Sequence, residues 1–113
     1  MPVSFESVGS RQTFFSKPAN TTANTVYTCA VGTGGTATLD SVNIACTGAC
    51  NVTIWINNGS TDYLLLDAFA VSANTSELGD FGNPVLRDGW SIKVMTSNAD
   101  DATFTVTVAE EFR

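Results

Sequence analysis

The chain has 113 residues, a net charge of −6, no His, and five scattered basic residues: Arg11, Lys17, Arg87, Lys93 and Arg113. Without clustered Lys and Arg to neutralise phosphate, neither nucleic acid nor an anionic membrane surface is expected as a partner. With 43% hydrophobic residues and only 14% charged ones, the length suits one domain with a real core. A surface solvated by Thr, Ser and Asn rather than Lys and Glu suits packing against other proteins.

Met1-Pro2-Val3-Ser4-Phe5-Glu6 carries neither a basic segment nor a continuous apolar run, so no secretory leader is expected. No apolar stretch approaches the roughly 18 residues of a membrane span. The texture divides the chain into an N-terminal arm and linker over residues 1–23 and a β-domain over residues 24–113. The arm has sparse apolar residues, Val3, Phe5, Val8 and then Phe14-Phe15, followed by Ser16-Lys17-Pro18-Ala19-Asn20-Thr21-Thr22, which reads as a linker. Val3 and Phe5 alternate as an edge strand does. Three forms stand open for this stretch: a strand folded back on its own domain, an arm crossing to a neighbouring subunit, or a frayed end.

From residue 24 onward, Thr, Ser and Asn alternate with Val, Ile, Leu and aromatics, the period of half-buried strands. Residues 25–29 form a short strand ending at Gly32-Thr33-Gly34-Gly35, a turn of residues that tolerate φ > 0. Residues 36–46 are a long strand whose buried parity shifts between Leu39 and Val42, which predicts a bulge near Asp40-Ser41. Residues 52–57 pair with residues 63–69 across Asn58-Gly59-Ser60, a strong hairpin signal. Leu64-Leu65-Leu66 does not alternate, as in a strand buried on both faces or one facing a partner. Residues 71–78 are weakly strand-like, and Gly79-Asp80-Phe81-Gly82-Asn83-Pro84 is a loop leading to Val85-Leu86. Arg87-Asp88-Gly89 turns into a strand whose Trp90, Ile92 and Val94 share one face. Ser97-Asn98-Ala99-Asp100-Asp101 is expected to close a final hairpin onto residues 103–108. Short strands at this spacing predict an all-β fold, an antiparallel β-sandwich or jelly roll of about eight strands.

Little catalytic chemistry is laid over this ladder. The absence of His removes the usual base for Ser and Cys nucleophiles and the commonest general acid or base. The acids fall mostly in turns, where Asp is favoured by its own hydrogen bonding. Asn98, Asp100 and Asp101 offer oxygens in one loop, but their spacing matches no known calcium loop. The Gly-rich turn has no accompanying Lys or helix to cradle phosphate. No catalytic residue, metal or cofactor is expected. Cys29, Cys46 and Cys50 read as small buried thiols; a bridge between Cys46 and Cys50 across Thr47-Gly48-Ala49 is conceivable, but the odd count and a reducing cytosol speak against it. Trp55 stands on the opposite parity from Val52, Ile54 and Ile56, so it either faces a partner or closes a second buried face.

The runs Thr25-Val26-Tyr27-Thr28-Cys29, Thr36-Ala37-Thr38-Leu39-Asp40-Ser41-Val42-Asn43-Ile44 and Asn51-Val52-Thr53-Ile54-Trp55-Ile56 resemble small structural proteins of tailed-phage virions. So does Val85-Leu86-Arg87-Asp88-Gly89-Trp90-Ser91-Ile92-Lys93-Val94, where the family's element commonly reads Leu-x-x-Gly-Asp-x-Ile and Trp90 replaces the Asp. The resemblance covers residues 24–108. It implies a non-enzymatic β-sandwich, most like a capsid decoration (cement) protein on the outside of the virion that stabilises the expanded shell after assembly in the host cytoplasm. The implied partners are the major capsid protein and neighbouring copies of the chain, as a homo-oligomer. Val3, Phe5, Val8, Phe14, Phe15 and Trp55 are the expected interface residues, the arm adding a strand to an unpaired sheet edge. A tail, neck or fibre β-domain is the alternative within virions. A carbohydrate-binding module stacking sugars on Trp55 or Tyr63 is the alternative outside them.

Overall fold

The computed structural model describes residues 10–30 and 34–111. Nine strands are present among them: β1 (Ser10–Ser16), β2 (Asn24–Thr28), β3 (Thr36–Cys46), β4 (Cys50–Asn57), β5 (Asp62–Val71), β6 (Thr75–Gly79), β7 (Val85–Leu86), β8 (Ser91–Thr96) and β9 (Ala102–Glu111). They form two antiparallel sheets. The first has the order β1-β9-β3-β6, with the short β7 also on β3; the second has the order β2-β8-β4-β5. With the two-residue β7 set aside, the other eight strands have the order of a jelly roll, four in each sheet.

The period-2 pattern does what it promised in the central strands. Ala102, Phe104, Val106 and Val108 of β9 are buried, and the Thr residues between them are half-buried. They meet Leu39, Val42 and Ile44 of β3, Ile54 and Val52 of β4, and Ile92 and Val94 of β8 in one core. Thr96 is the fully buried polar side chain in it; its hydroxyl donates to the Asn98 carbonyl and accepts from the Asn98 amide. A polar group so buried costs little only when both its roles are filled.

The bulge expected near Asp40-Ser41 is present: the β3–β9 register shifts between Leu39 and Ser41. It also explains the break between β6 and β7. β6 pairs with residues 42–46 of β3 and β7 with Ala37 and Thr38, while the loop after β6 covers the bulge between them. There Leu39 donates its amide to the Pro84 carbonyl at 2.8 Å, and the Asn83 side chain donates to the carbonyls of Leu39 and Asp40, each at 3.1 Å.

The β4–β5 hairpin is formed as expected. Gly59 sits at φ 101°, in the region that favours glycine, and Asn58 Oδ1 accepts from the Ser60 and Thr61 amides. Trp90 caps the Arg87–Gly89 turn by donating its amide to the Arg87 carbonyl at 3.0 Å, and lies half-buried against the core. The expected final hairpin is not formed. β8 pairs with β2 and β4 in the second sheet, whereas β9 pairs with β1 and β3 in the first, so residues 97–101 carry the chain from one sheet to the other. Residues 47–49 likewise turn a corner between sheets.

Within the stretch read as arm and linker, residues 10–16 form β1, which pairs along its whole length with β9. That portion is a strand folded back on its own domain. Residues 1–9, including Val3, Phe5 and Val8, lie outside the described residues, as do residues 31–33 at the start of the Gly-rich turn. Gly34 of that turn has φ 66°.

Candidate partner interface

The jelly-roll order puts the sheet edges on two flanks, with β6 and β7 sharing one edge along β3. β1 and β2 edge one flank, and β5 faces β6 and β7 on the other. The flanks are finished differently.

On the β1/β2 flank the aromatic rings of Phe14 and Tyr27 meet with centroids 4.9 Å apart, at a tilt of 52°. Tyr27 is buried, and its hydroxyl donates to Glu110 Oε2 at 2.6 Å, tying β2 to the end of β9. Burial, then the Glu110 carboxylate accepting its proton, raises the Tyr27 phenol well above its ordinary value. Burial also raises the neighbouring Cys29 thiol. Arg11 of β1 reaches Asp40, in the β3 bulge, at 3.1 Å. Phe15, which alternation turns away from Phe14, is 71% exposed.

The other flank is apolar and unpaired. Tyr63, Leu64, Phe69, Leu78 and Val85 are all exposed large hydrophobics, and all lie on β5, β6 or β7. Between β5 and β6 a groove of about 110 Å³ is lined by Ile44, Leu66, Phe69, Leu78 and Phe81, with Glu77 at its side. Further along, a depression of about 340 Å³ is lined by Ile56, Tyr63, Leu65, Pro84, Val85 and Trp90. An apolar strip continued over two hollows is a surface of the kind that marks an interaction site.

β5 is also deformed. Its register on β4 shifts between Val52 and Ile54, and again between Ile54 and Trp55. The second shift accounts for Leu64-Leu65-Leu66. A bulge resets the alternation there, leaving Leu64 exposed opposite Trp55 and Leu65 and Leu66 half-buried. The strand is neither buried on both faces nor regular. At the first shift Ala68 adopts φ 45°, and its amide donates to Thr53 Oγ1 at 3.1 Å in place of a ladder partner. Bulges of this kind twist an edge away from indiscriminate pairing.

Trp55 is half-buried on the outward side of β4, between Lys93 of β8 and Leu64 of β5 in register. Lys93 also bridges to Asp62 at 3.3 Å. The Asp62 carboxyl lies below its ordinary value, first because Asn57 donates to it at 2.7 Å and then because of Lys93. Of the residues expected at an interface, the structure thus separates Phe14 and Phe15 on one flank from Trp55 on the outer face of the second sheet. Tyr63, Phe69, Leu78, Val85 and Phe81 did not stand out in the sequence as a group. Nothing in the residues of β5 or β6 says that the two strands will lie on one flank; only the topology brings the two edges together. Among the described residues no group of three His, Cys, Asp or Glu side chains is placed to hold a metal ion.

No family model matches the chain, and no curated protein does. Its fold is similar to solved structures at low identity. A pilus subunit of Bacillus endospore appendages, described as a family of disulfide-linked pili, is 16% identical with a TM-score of 0.51, over 93% of this chain and 86% of that one. A chain of the infectious bursal disease virus Gx strain is 11% identical with a TM-score of 0.55, over 95% of this chain but only 30% of that one. A chain of the acid-stable capsid of Helicobacter pylori bacteriophage KHP30 is 13% identical with a TM-score of 0.50, over 95% and 89%. What this chain shares with a pilus and with two virus particles is a β-sandwich architecture.

Proposed function

We propose that the chain is a non-enzymatic structural component of a virion, and within that class a capsid decoration (cement) protein that binds the outer capsid surface and stabilises the expanded shell. The observation that carries this reading is the apolar β5/β6–β7 flank, where two unpaired sheet edges and five exposed large hydrophobics lie together. A chain with so few charges and so much apolar edge is better matched to a protein neighbour than to solvent. The fold it shares with a bacteriophage capsid chain and with a chain of a virus particle supports the same reading.

In this account the β5/β6–β7 flank meets the major capsid protein with Trp55 beside it, Phe15 on the other flank faces a neighbouring copy, and Val3, Phe5 and Val8 form an arm that adds a strand to that copy. Phe14 contributes by holding β1 against Tyr27. The test is co-sedimentation of the purified chain with expanded capsids. Saturable binding is expected, with copies at every capsomer. Leu64→Gln with Leu78→Gln, which alters two exposed side chains, is expected to weaken binding by tenfold or more; removal of residues 1–9 should lower occupancy. Unchanged binding by the double variant would remove the flank from the interface. Copies confined to the tail vertex would favour the tail or neck assignment, and quenching of Trp fluorescence by glycans would favour a sugar-binding module.

A further inference from the structure

At the corner where β3 leaves the first sheet and β4 enters the second, the Cys46 and Cys50 sulfurs lie 2.7 Å apart. Both side chains are buried. From this geometry we infer that Cys46 and Cys50 are a redox pair that closes into an intrachain disulfide stitching the two sheets together. The inference is independent of the functional reading above.

The corner is held without help from the sulfurs. Thr47 donates its amide to the Asp101 carbonyl at 2.8 Å, and its hydroxyl donates to Asp101 Oδ1 at 3.2 Å. Asn98 donates its side-chain amide to the Ala49 carbonyl at 2.6 Å. Asn74 donates its amide to the Cys46 carbonyl, and Asn51 donates its own to Ser97 Oγ, each at 2.8 Å. Gly48 packs so closely that a Cβ there would stand 2.7 Å from Asp101 Oδ2. The backbone on both sides of the pair is therefore fixed by loops 72–74 and 97–101. A disulfide bond of about 2.05 Å needs the sulfurs to approach by less than an ångström, a movement within side-chain adjustment.

Each cysteine borders a surface depression. Cys50 lines an open depression of about 270 Å³ with Ala49 and Asn98, and Cys46 lines another of about 390 Å³ with Thr47 and Asn74. Burial and the adjacent Cys50 push the Cys46 thiol up to about 12, so the pair is slow to react near neutral pH and faster in mild alkali. The oxidant is a small-molecule disulfide. One cysteine, as thiolate, attacks it and expels one small thiolate, leaving a mixed disulfide. The second cysteine then attacks the protein sulfur of that mixed disulfide and expels the second thiol. The two protein thiols lose two electrons and two protons; the small disulfide gains them and becomes two thiols. Cys29, buried just beyond β2, is the cysteine left outside the pair and remains a thiol.

The test uses the native chain in oxidised glutathione at mildly alkaline pH, quenched, denatured, alkylated with iodoacetamide and weighed. The expected product is two hydrogens lighter than the reduced chain, carries one alkylated thiol, mapped to Cys29, and unfolds at a temperature higher by about 5 °C. Cys29→Ser should give the same bridge and no alkylated thiol. Three alkylated thiols, a stable glutathione adduct at Cys46 or Cys50, or a bridge containing Cys29 would each overturn the inference. The alkylation count on the unmutated chain decides even if the Ser variant does not fold.

Discussion

β9 and β5 are both ten residues long and both rich in apolar side chains, yet they serve opposite ends. β9 is paired on both sides, by β1 and β3, and its burial alternates along most of its length. β5 is paired on one side, is bulged twice, and leaves Tyr63, Leu64 and Phe69 exposed. The difference teaches that apolar content alone does not locate the core. β9, with a neighbour on each side, holds its alternation over residues 102–109, because a one-residue slip would carry every buried side chain to the wrong face. β3, also flanked on both sides, breaks alternation once, at the Asp40 bulge that the 80–84 loop covers. An edge strand is free to bulge, and the side chains so released are the ones available to a partner.

The comparison breaks most severely at its centre. Phe104→Ala in β9 removes a fully buried ring and is expected to cost about 3–5 kcal/mol, read as a shift in the denaturation midpoint. If it costs under about 1 kcal/mol, β9 is not the core strand described. Next, Tyr27→Phe removes the bond to Glu110 at the end of β9 and should cost about 1–2 kcal/mol. The same variant reports on pH. Because folding raises the Tyr27 phenol, the unfolded chain loses its proton near the ordinary value of about 10 while the folded chain keeps it. The contribution is therefore full below about pH 10 and declines as pH rises beyond it. Tyr27→Phe should flatten that decline in an alkaline unfolding series.

Smaller effects test the edge. Ala68→Gly relieves a positive φ in the β5 bulge and keeps the amide that bonds Thr53, so a gain of about 0.5–1 kcal/mol is expected. A loss would mean the bulge is not populated in solution. Smallest of all, Leu64→Gln and Leu78→Gln should each change stability by no more than about 0.5 kcal/mol in thermal melts while acting on partner binding. A large loss of stability from either would make β5 and β6 part of the core and erase the contrast.

Much of the architecture was legible in the residues. Alternation gave most strands and the inward faces of β3, β8 and β9; Asn58-Gly59 gave the β4–β5 hairpin; and the parity shift between Leu39 and Val42 gave the bulge at Asp40. What alternation cannot say is which sheet a strand joins. A turn such as residues 97–101 has the same polar composition whether it closes a hairpin or crosses between sheets, so the final hairpin was misread. The flank was hidden for the same reason. Leu78 and Phe69 have ordinary strand neighbours in sequence, and their exposure follows only from the edge positions that long-range pairing assigns them.

The place of β9 has a consequence for the order of events during synthesis. It is the last of the described strands to leave the ribosome, yet it is the middle of its sheet and joins β1 to β3. Until it arrives, β1 has no ladder partner and β3 only the short β6 and β7. The first sheet therefore closes only once residues 102–111 have emerged, and a ribosome-stalled chain ending before them should be protease-sensitive along residues 10–16. Completion of the first sheet is thus the last step of assembly, whereas the second sheet needs nothing from β9.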